Sequence, residues 1–408
     1  MNNVAGQWSS LNKDKVLSTK EKLDKLIELN LKQSKSPKKN NKNSKIETDK
    51  PFIIIESIFS LDDIYGGIKL SEWDDITQNS IPTLFSDETL LKLNKKKFLY
   101  FDTETTGLSG GTGTIPFMLG FGYFEDNVFK TKVFILNDIS KEDEMLDVVD
   151  DFIEEGGFSA TITYNGKTYD FPLMETRYIL NRKRFPLLKL PHLDFLYPAR
   201  TIWKNTYQSR RLGYLGDILL GISRDDDIDG SQIPSLYFSY LRTGNFSLID
   251  KVISHNELDL VGLSALVLKS LKYIENIDNT EDEGEILGLG DLCEKTLDLI
   301  GAEQKYLYLI ENCERIEIKE KAIKRLSIIK KKAKLYKEAV ILWELLENSD
   351  DKDTHRELAI YYEHRDRNYL KALNYAKKAL ELDLSKHNRD DILNRIKRLK
   401  LKIKINGD

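Results

Sequence analysis

Residues Lys95 to Thr114 read KKKFLYFDTETTGLSGGTGT. The apolar run Phe98–Phe101 passes directly into two acids, Asp102 and Glu104, and then into a loop of Gly and Thr. A short apolar run that ends in turn residues has the composition of a buried strand. Side chains at i and i+2 share one face of a strand, so the two carboxylates project together from its C-terminal end. Close carboxylates repel unless a proton or a cation intervenes, and a hard divalent ion such as Mg²⁺ or Mn²⁺ suits them. One such pair is weak in a chain with 66 acidic residues, so its meaning depends on matching acids downstream.

Two further stretches supply them. ATITYNGKTYDFPLMETR reads as a strand over 160–164, an Asn165-Gly166 turn, and a helix over 170–180 that opens on Asp170. Asp170 also suits a helix N-cap, with Pro172 in the first turn, and the two roles can coexist. VISHNELDLVGLSALV reads as a helix in which His255 and Asp259, at i and i+4, share one face while Glu257 points elsewhere. An Asp inside an apolar helix is costly unless it is paired or metal-bound. Such a His–Asp pair taken alone is more often a surface hydrogen bond than a catalytic dyad. Here it completes a set of four carboxylates, Asp102, Glu104, Asp170 and Asp259, carried on separate elements. Two ions roughly 3.5 to 4 Å apart can activate a water and stabilise a phosphodiester leaving oxygen, and one strand cannot surround both. A base such as His255 would deprotonate the water.

In these motifs the stretch from about 96 to 275 resembles the DEDD (DnaQ-like) exonuclease superfamily, with its ribonuclease H-like fold. FDTETTGL is similar to the first motif of that superfamily, YNGKTYDFPLMETR to the second and HNELD to the third. RRLGYLG and IPSLYFSYLRTG are similar to stretches that recur in its bacterial YprB-like group, which carries C-terminal tetratricopeptide repeats. The resemblance implies Asp102, Glu104, Asp170 and Asp259 as ligands of two Mg²⁺ or Mn²⁺ ions, His255 as base, and 3′-5′ exonuclease action. One departure stands out. In the histidine branch of the superfamily the base lies one residue further from the last Asp. Here His255 occupies the spacing of the tyrosine branch, so its role is less secure than those of the ligands.

Residues 182 to 211 hold eight basic residues against one acid, Asp194, with Phe185, Phe195, Tyr197, Trp203 and Tyr207 interleaved. Cations contact phosphates and aromatic rings stack on bases, which makes this segment the expected track for single-stranded RNA or DNA. A solvated loop with its aromatics in the core is the competing reading. The expected nucleic-acid contacts are Thr105, Thr106, Asn165, Arg200, Lys204, Arg210 and Arg211. Asp194 is read as a structural acid rather than a further ligand. The glycines after Thr106 lack the Gly-Lys-Ser/Thr of a phosphate loop, and either serve as a flexible connection or admit a nucleotide to the backbone. DDDIDG at Asp225–Gly230 imitates the start of a calcium loop, but the twelfth position is Leu236 and a solvated turn is expected.

The totals narrow the classes. The chain has 408 residues, a net charge of −4 and two cysteines, Cys293 and Cys313. That excludes a disulfide scaffold and a Cys-rich zinc site, and it suits a reducing cytoplasm. No apolar run reaches membrane-span length, and MNNVAGQWSSLNKDK has no secretion-signal character. The first fifty residues carry 12 Lys and 6 acids and read as a basic, largely disordered segment, with a short amphipathic helix over 12–32. Residues 51–95 read as an irregular lead-in extension, and 96–275 as an α/β domain, a mixed sheet flanked by helices. The stretch 284–408 is all-helical. YKEAVILWELLE at Tyr336 and YLKALNYAKKALEL at Tyr369 align at 33 residues, matching Ala339 to Ala372, a spacing that resembles tetratricopeptide repeats. A repeat array binds a protein partner or buttresses a neighbour. The leading expectation is a two-metal nuclease on single strands. A non-catalytic scaffold acting through the repeats, or an endonuclease on the same fold, are the alternatives.

Overall fold

The computed structural model describes residues 45–47, 51–107, 113–223, 228–280, 282–382 and 386–406. The expected helix at 12–32, the linker after it, the glycines at 110 and 111 and the acids Asp225–Asp227 lie outside the described residues.

Seven strands form one mixed sheet. In chain order they are β1 (Lys45–Glu47), β2 (Phe52–Ser60), β5 (Phe98–Thr105), β6 (Pro116–Glu125), β7 (Val128–Leu136), β8 (Ala160–Thr163) and β9 (His192–Asp194); β3 (Ile64–Tyr65) and β4 (Ile68–Lys69) make a separate ribbon. The spatial order is β1-β2-β7-β6-β5-β8-β9. Strands β5, β6 and β7 form an antiparallel meander, and β8 and β9 then add in parallel beyond β5. This agrees with the expected mixed sheet. The lead-in differs from its irregular reading. FIIIESIFS is a nine-residue strand paired with β7 along its whole length. Its four leading residues are all apolar and buried, because both sheet faces are covered here, and that hides the alternation expected of a half-exposed strand.

One face of the sheet packs on α2 (Glu142–Gly156) and α3 (Asp170–Leu180), which follow the short α1 (Ser80–Phe85). Leu99, Phe101, Leu119 and Phe121 meet Met145, Leu146, Phe171 and Met174 there. Then come α4 (Leu196–Ile202), α5 (Leu212–Leu220), α6 (Ile233–Thr243) and the 30-residue α7 (Phe246–Glu275). Helix α7 covers the other face. Its first turns pack with α6 on Phe117, Val133 and Ile135, and its later turns on Phe98, Tyr100 and Phe129. It comes unusually close at β6. A Cβ on Gly120 would lie 1.8 Å from Asn256 Oδ1, so that glycine makes room for the helix, while a Cβ on Gly122 would lie 2.6 Å from the Phe129 ring of β7.

Among the described residues only helices follow: α8 (Glu283–Lys295), α9 (Leu299–Asn312), α10 (Ile316–Lys332), α11 (Tyr336–Leu345), α12 (Lys352–His364), α13 (Tyr369–Leu382) and α14 (Lys386–Asn406). Helix α10 packs on α11 and α12 on α13. Helix α8 is shared by two cores. Its Leu289 and Leu292 pack with Trp203 and Ile202, while Ile286, Leu287 and Cys293 pack with α9 and α10. Gly288 permits the contact, since a Cβ there would be 2.1 Å from the Ile202 carbonyl oxygen.

Candidate active site

The pleat of β5 sorts its end residues between the two faces. Asp102 and Glu104 follow Phe98 and Tyr100 onto the α7 side, and Thr103 follows Leu99 and Phe101 onto the α3 side. Helix α7 answers on its own side. His255 Nε2 lies 3.4 Å from Asp259 Oδ2 and 3.9 Å from Glu104 Oε1. The His255 and Asp259 side chains are only 13% and 14% exposed, so this is no surface pair. On the α3 side, Thr103 Oγ1 donates to Asp170 Oδ1 at 2.5 Å. Asp170 is therefore not the N-cap considered for it. Tyr169 holds the cap position without a capping side chain, and the Asp170 carboxylate turns to the end of β5.

The carboxylates are close enough to feel one another. Burial pushes the Asp102 carboxyl well above the usual range, and the charges of Asp170, Glu104 and Asp259 push it further, against a hydrogen bond from Asn256. Burial also raises Asp170, to about 6, although Thr103 stabilises its charged form. Among the described residues, no three His, Cys, Asp or Glu side chains converge into a formed ion cage. The donor chemistry still fits a hard cation: four carboxylates, no sulfur, and a mutual repulsion that an ion would relieve.

Asn256 was not anticipated. It is fully buried, and its Nδ2 donates to Asp102 Oδ2 at 2.8 Å. Gly120 stands opposite Asp102 on β6, and a Cβ there would be 1.8 Å from Asn256 Oδ1. The available signal was the pair of glycines inside the apolar strand PFMLGFGYF, which marks a close approach by another element. Glu257 turns away from the site, as expected, to receive a 3.4 Å contact from Thr131 Oγ1 in the buried layer below.

A cleft of about 690 Å³ opens beside Asp102 and Asp170, lined by Thr105, Tyr164, Asn165 and Tyr169. Asn165 adopts a left-handed φ of 69°, and its N–H is held at 2.8 Å by Asp194 Oδ1. Asp194 also accepts from the N–H groups of Lys167 and Leu196, so it is a structural acid that fixes this turn. Asn165 and Tyr164 also line a second groove, together with Arg200, Arg210 and Arg211. Thr106 instead braces its own loop, accepting at Oγ1 from the Ile115 N–H.

The basic segment divides. Its first part neutralises the acidic helix α2: Lys183 pairs with Asp147, and Lys189 Nζ lies 3.7 Å from Glu154. Lys204 pairs with Asp291 of α8 at 2.5 Å. Phe185, Phe195 and Trp203 are core residues, which leaves Tyr197 as the well-exposed ring of the five. The three arginines at 200, 210 and 211 are the part that adjoins the cleft.

Residues 99–270 match the family model described as the RNase_H superfamily. The chain is also 33% identical over 319 residues to the uncharacterized protein YprB of Bacillus subtilis (strain 168), covering 76% of each chain. The chain belongs to the YprB family of ribonuclease H-like proteins. An alignment of 319 residues cannot fit within the first 270, so the YprB likeness continues into the C-terminal helices. Membership implies a nuclease-type fold and contact with nucleic acid, and such nucleases usually use divalent metals. No helix among the described residues is long and apolar enough to cross a membrane.

Proposed function

We propose that this YprB-like protein is a divalent-metal-dependent phosphodiester hydrolase that trims single-stranded nucleic acid from its 3′ end. The observation that carries the reading is the meeting, at the end of β5, of its own Asp102 and Glu104 with Asp259 from one side of the sheet and Asp170 from the other, close enough that their charges add to burial in raising the Asp102 carboxyl. A fold has no structural use for such repulsion, and a cation-binding site does. Asp102, Glu104, Asp170 and Asp259 would hold two Mg²⁺ or Mn²⁺ ions. When bound, these would supply an activated water and neutralise charge at the leaving oxygen.

The residues of the chain then divide the work. Asn256 fixes one oxygen of Asp102 by its hydrogen bond. Thr103 does the same for Asp170. His255 accepts the proton of the attacking water, with Asp259 orienting its ring. Asn165 and the Arg200–Arg211 groove receive the strand. The polarity rests on the superfamily resemblance.

The test is a cleavage time course with 5′-labelled single-stranded RNA and DNA in Mg²⁺, Mn²⁺ or EDTA, beside Asp102→Ala. A metal-dependent ladder that shortens from the 3′ end, absent in the variant, is expected. Cutting of a 3′-blocked strand would instead show an endonuclease. Intact strands under every condition would overturn the reading and favour a scaffold.

A further inference from the structure

Three concavities run into one another across the surface. The cleft at Asp102 and Asp170 shares Tyr164 and Asn165 with the arginine groove. That groove shares Arg200 with a third cavity of about 640 Å³, lined by Lys167, Tyr197, Lys204 and Lys295. The third cavity lies at a joint, since Lys167 comes from the β8–α3 loop, Arg200 from α4 and Lys295 from the end of α8.

Among the described residues, all but one of the cations in this cavity lie outside salt bridges. Lys204 is paired with Asp291. Lys295 donates to the neutral Thr201 hydroxyl at 2.9 Å, and Lys167 lies 5.8 Å from the exposed Tyr197 ring. Neither lysine, nor Arg200, makes a salt bridge with a carboxylate among the described residues. Asp87 and Asp194 also line the cavity, but their carboxylates are engaged by backbone N–H groups, of Thr89 for Asp87 and of Asn165, Lys167 and Leu196 for Asp194; three cations outside any salt bridge and an exposed aromatic ring therefore still offer a surface for a polyanion with stackable groups. A basic surface that begins at a carboxylate cluster and leads away from it follows the charge of a strand whose end is being cut.

We infer that single-stranded nucleic acid bound with its end in the Asp102–Asp170 cleft continues along the arginine groove into the Lys167–Arg200–Lys295 cavity, so that the first C-terminal helix forms part of the substrate-binding surface. The direction of the strand rests on the nuclease reading; the binding surface does not.

Binding is measured by fluorescence anisotropy in EDTA, where no metal-dependent cleavage competes. The probes are a labelled oligothymidylate of about 15 nucleotides and a labelled dinucleotide. In the Lys167→Ala/Lys295→Ala variant, the affinity advantage of the long strand should shrink about tenfold. The slope of log K against log salt should become shallower by about 1.4, because each cation lost removes about 0.7. The Lys167→Arg/Lys295→Arg variant should restore both. Unchanged affinity and slope in the alanine variant would overturn the path. So would a loss that the arginine variant fails to restore, since that marks a structural role. Cleavage by the wild type in Mg²⁺ and Mn²⁺ is scored separately. Binding without cleavage removes the nuclease reading and leaves the path standing, whereas cleavage with wild-type binding by the alanine variant does the reverse.

Discussion

Asn256 donates its amide N–H to Asp102 at 2.8 Å from a site walled by Gly120, the residue paired with Asp102 across the sheet. A strand, its neighbour and a crossing helix thus fix one carboxylate together. Asn256→Leu keeps the volume and removes the donor. We expect cleavage to fall about 10- to 100-fold, the usual cost of losing a residue that orients a metal ligand. Gly120→Ala should act similarly by pushing Asn256 aside, and should also destabilise the fold by about 1 to 3 kcal/mol. Wild-type cleavage rates in both variants would show that this contact orients nothing.

Asp170→Asn should uncouple stability from activity. The folded-state pKa of Asp170, about 6, lies above its ordinary 3.8, so the folded form holds the proton more tightly. Its stabilising contribution is complete below the ordinary value and is lost as pH rises through the folded one. In EDTA, the Tm of the variant should exceed that of the wild type at neutral pH, and the difference should vanish near pH 4. Cleavage should be abolished. Differential scanning calorimetry at the two pH values decides it, and a lower Tm in the variant at neutral pH would refute the cost of burying this carboxylate.

For the wild type at neutral pH, Mn²⁺ should raise Tm in a concentration-dependent way, because binding to the folded state alone stabilises by mass action. A saturating curve that disappears in Asp102→Ala would locate the ion. An equal shift in the two proteins would place it elsewhere.

His255→Ala should slow turnover more than it weakens strand binding. A base changes kcat, whereas a positioning group changes affinity. Single-turnover rates and anisotropy in EDTA separate the two. A loss confined to affinity would remove His255 from the chemistry and leave it as a spacer between Glu104 and Asp259.

Glu363 anchors the far end of the chain. Its side chain is fully buried and receives Arg398 at 2.7 and 2.8 Å, Lys402 at 2.9 Å, and Arg395. Burial opposes its ionisation, yet these cations carry its pKa down to about 2. The stability it provides is therefore present above its ordinary 4.5 and is lost as pH falls toward 2. Glu363→Gln should cost about 1 kcal/mol, since the three cations lose their charge partner but remain partly exposed to water. It should also flatten acid unfolding followed by circular dichroism.

The strands at 98–105 and 160–163 and the helix at 170–180 were legible because apolar runs and turn residues bounded them. So were the four carboxylates, which interrupt otherwise apolar elements. Strand β2 was missed because burial on both faces erased its period. Asn256 was missed because a buried amide looks like any helix-surface amide until the strand it meets is known. The basic segment misled in its first half for a similar reason. Charge can be counted along a chain, but whether Lys183 meets a phosphate or Asp147 depends on which helix lies alongside.

Helix α8 bears on how the molecule comes apart. Glu285 of α8 accepts from the Trp203 indole at 3.1 Å and from Tyr207 at 3.2 Å, both on the sheet side of the joint. Removing α8 onward would leave an indole N–H and a large apolar ring facing solvent or an unfilled hollow. The sheet and the helices next to it would therefore melt in one cooperative transition. A protein cut after α7 would be expected to aggregate rather than survive as a minimal nuclease, so the loop joining α7 and α8 divides the sequence without dividing the folding unit.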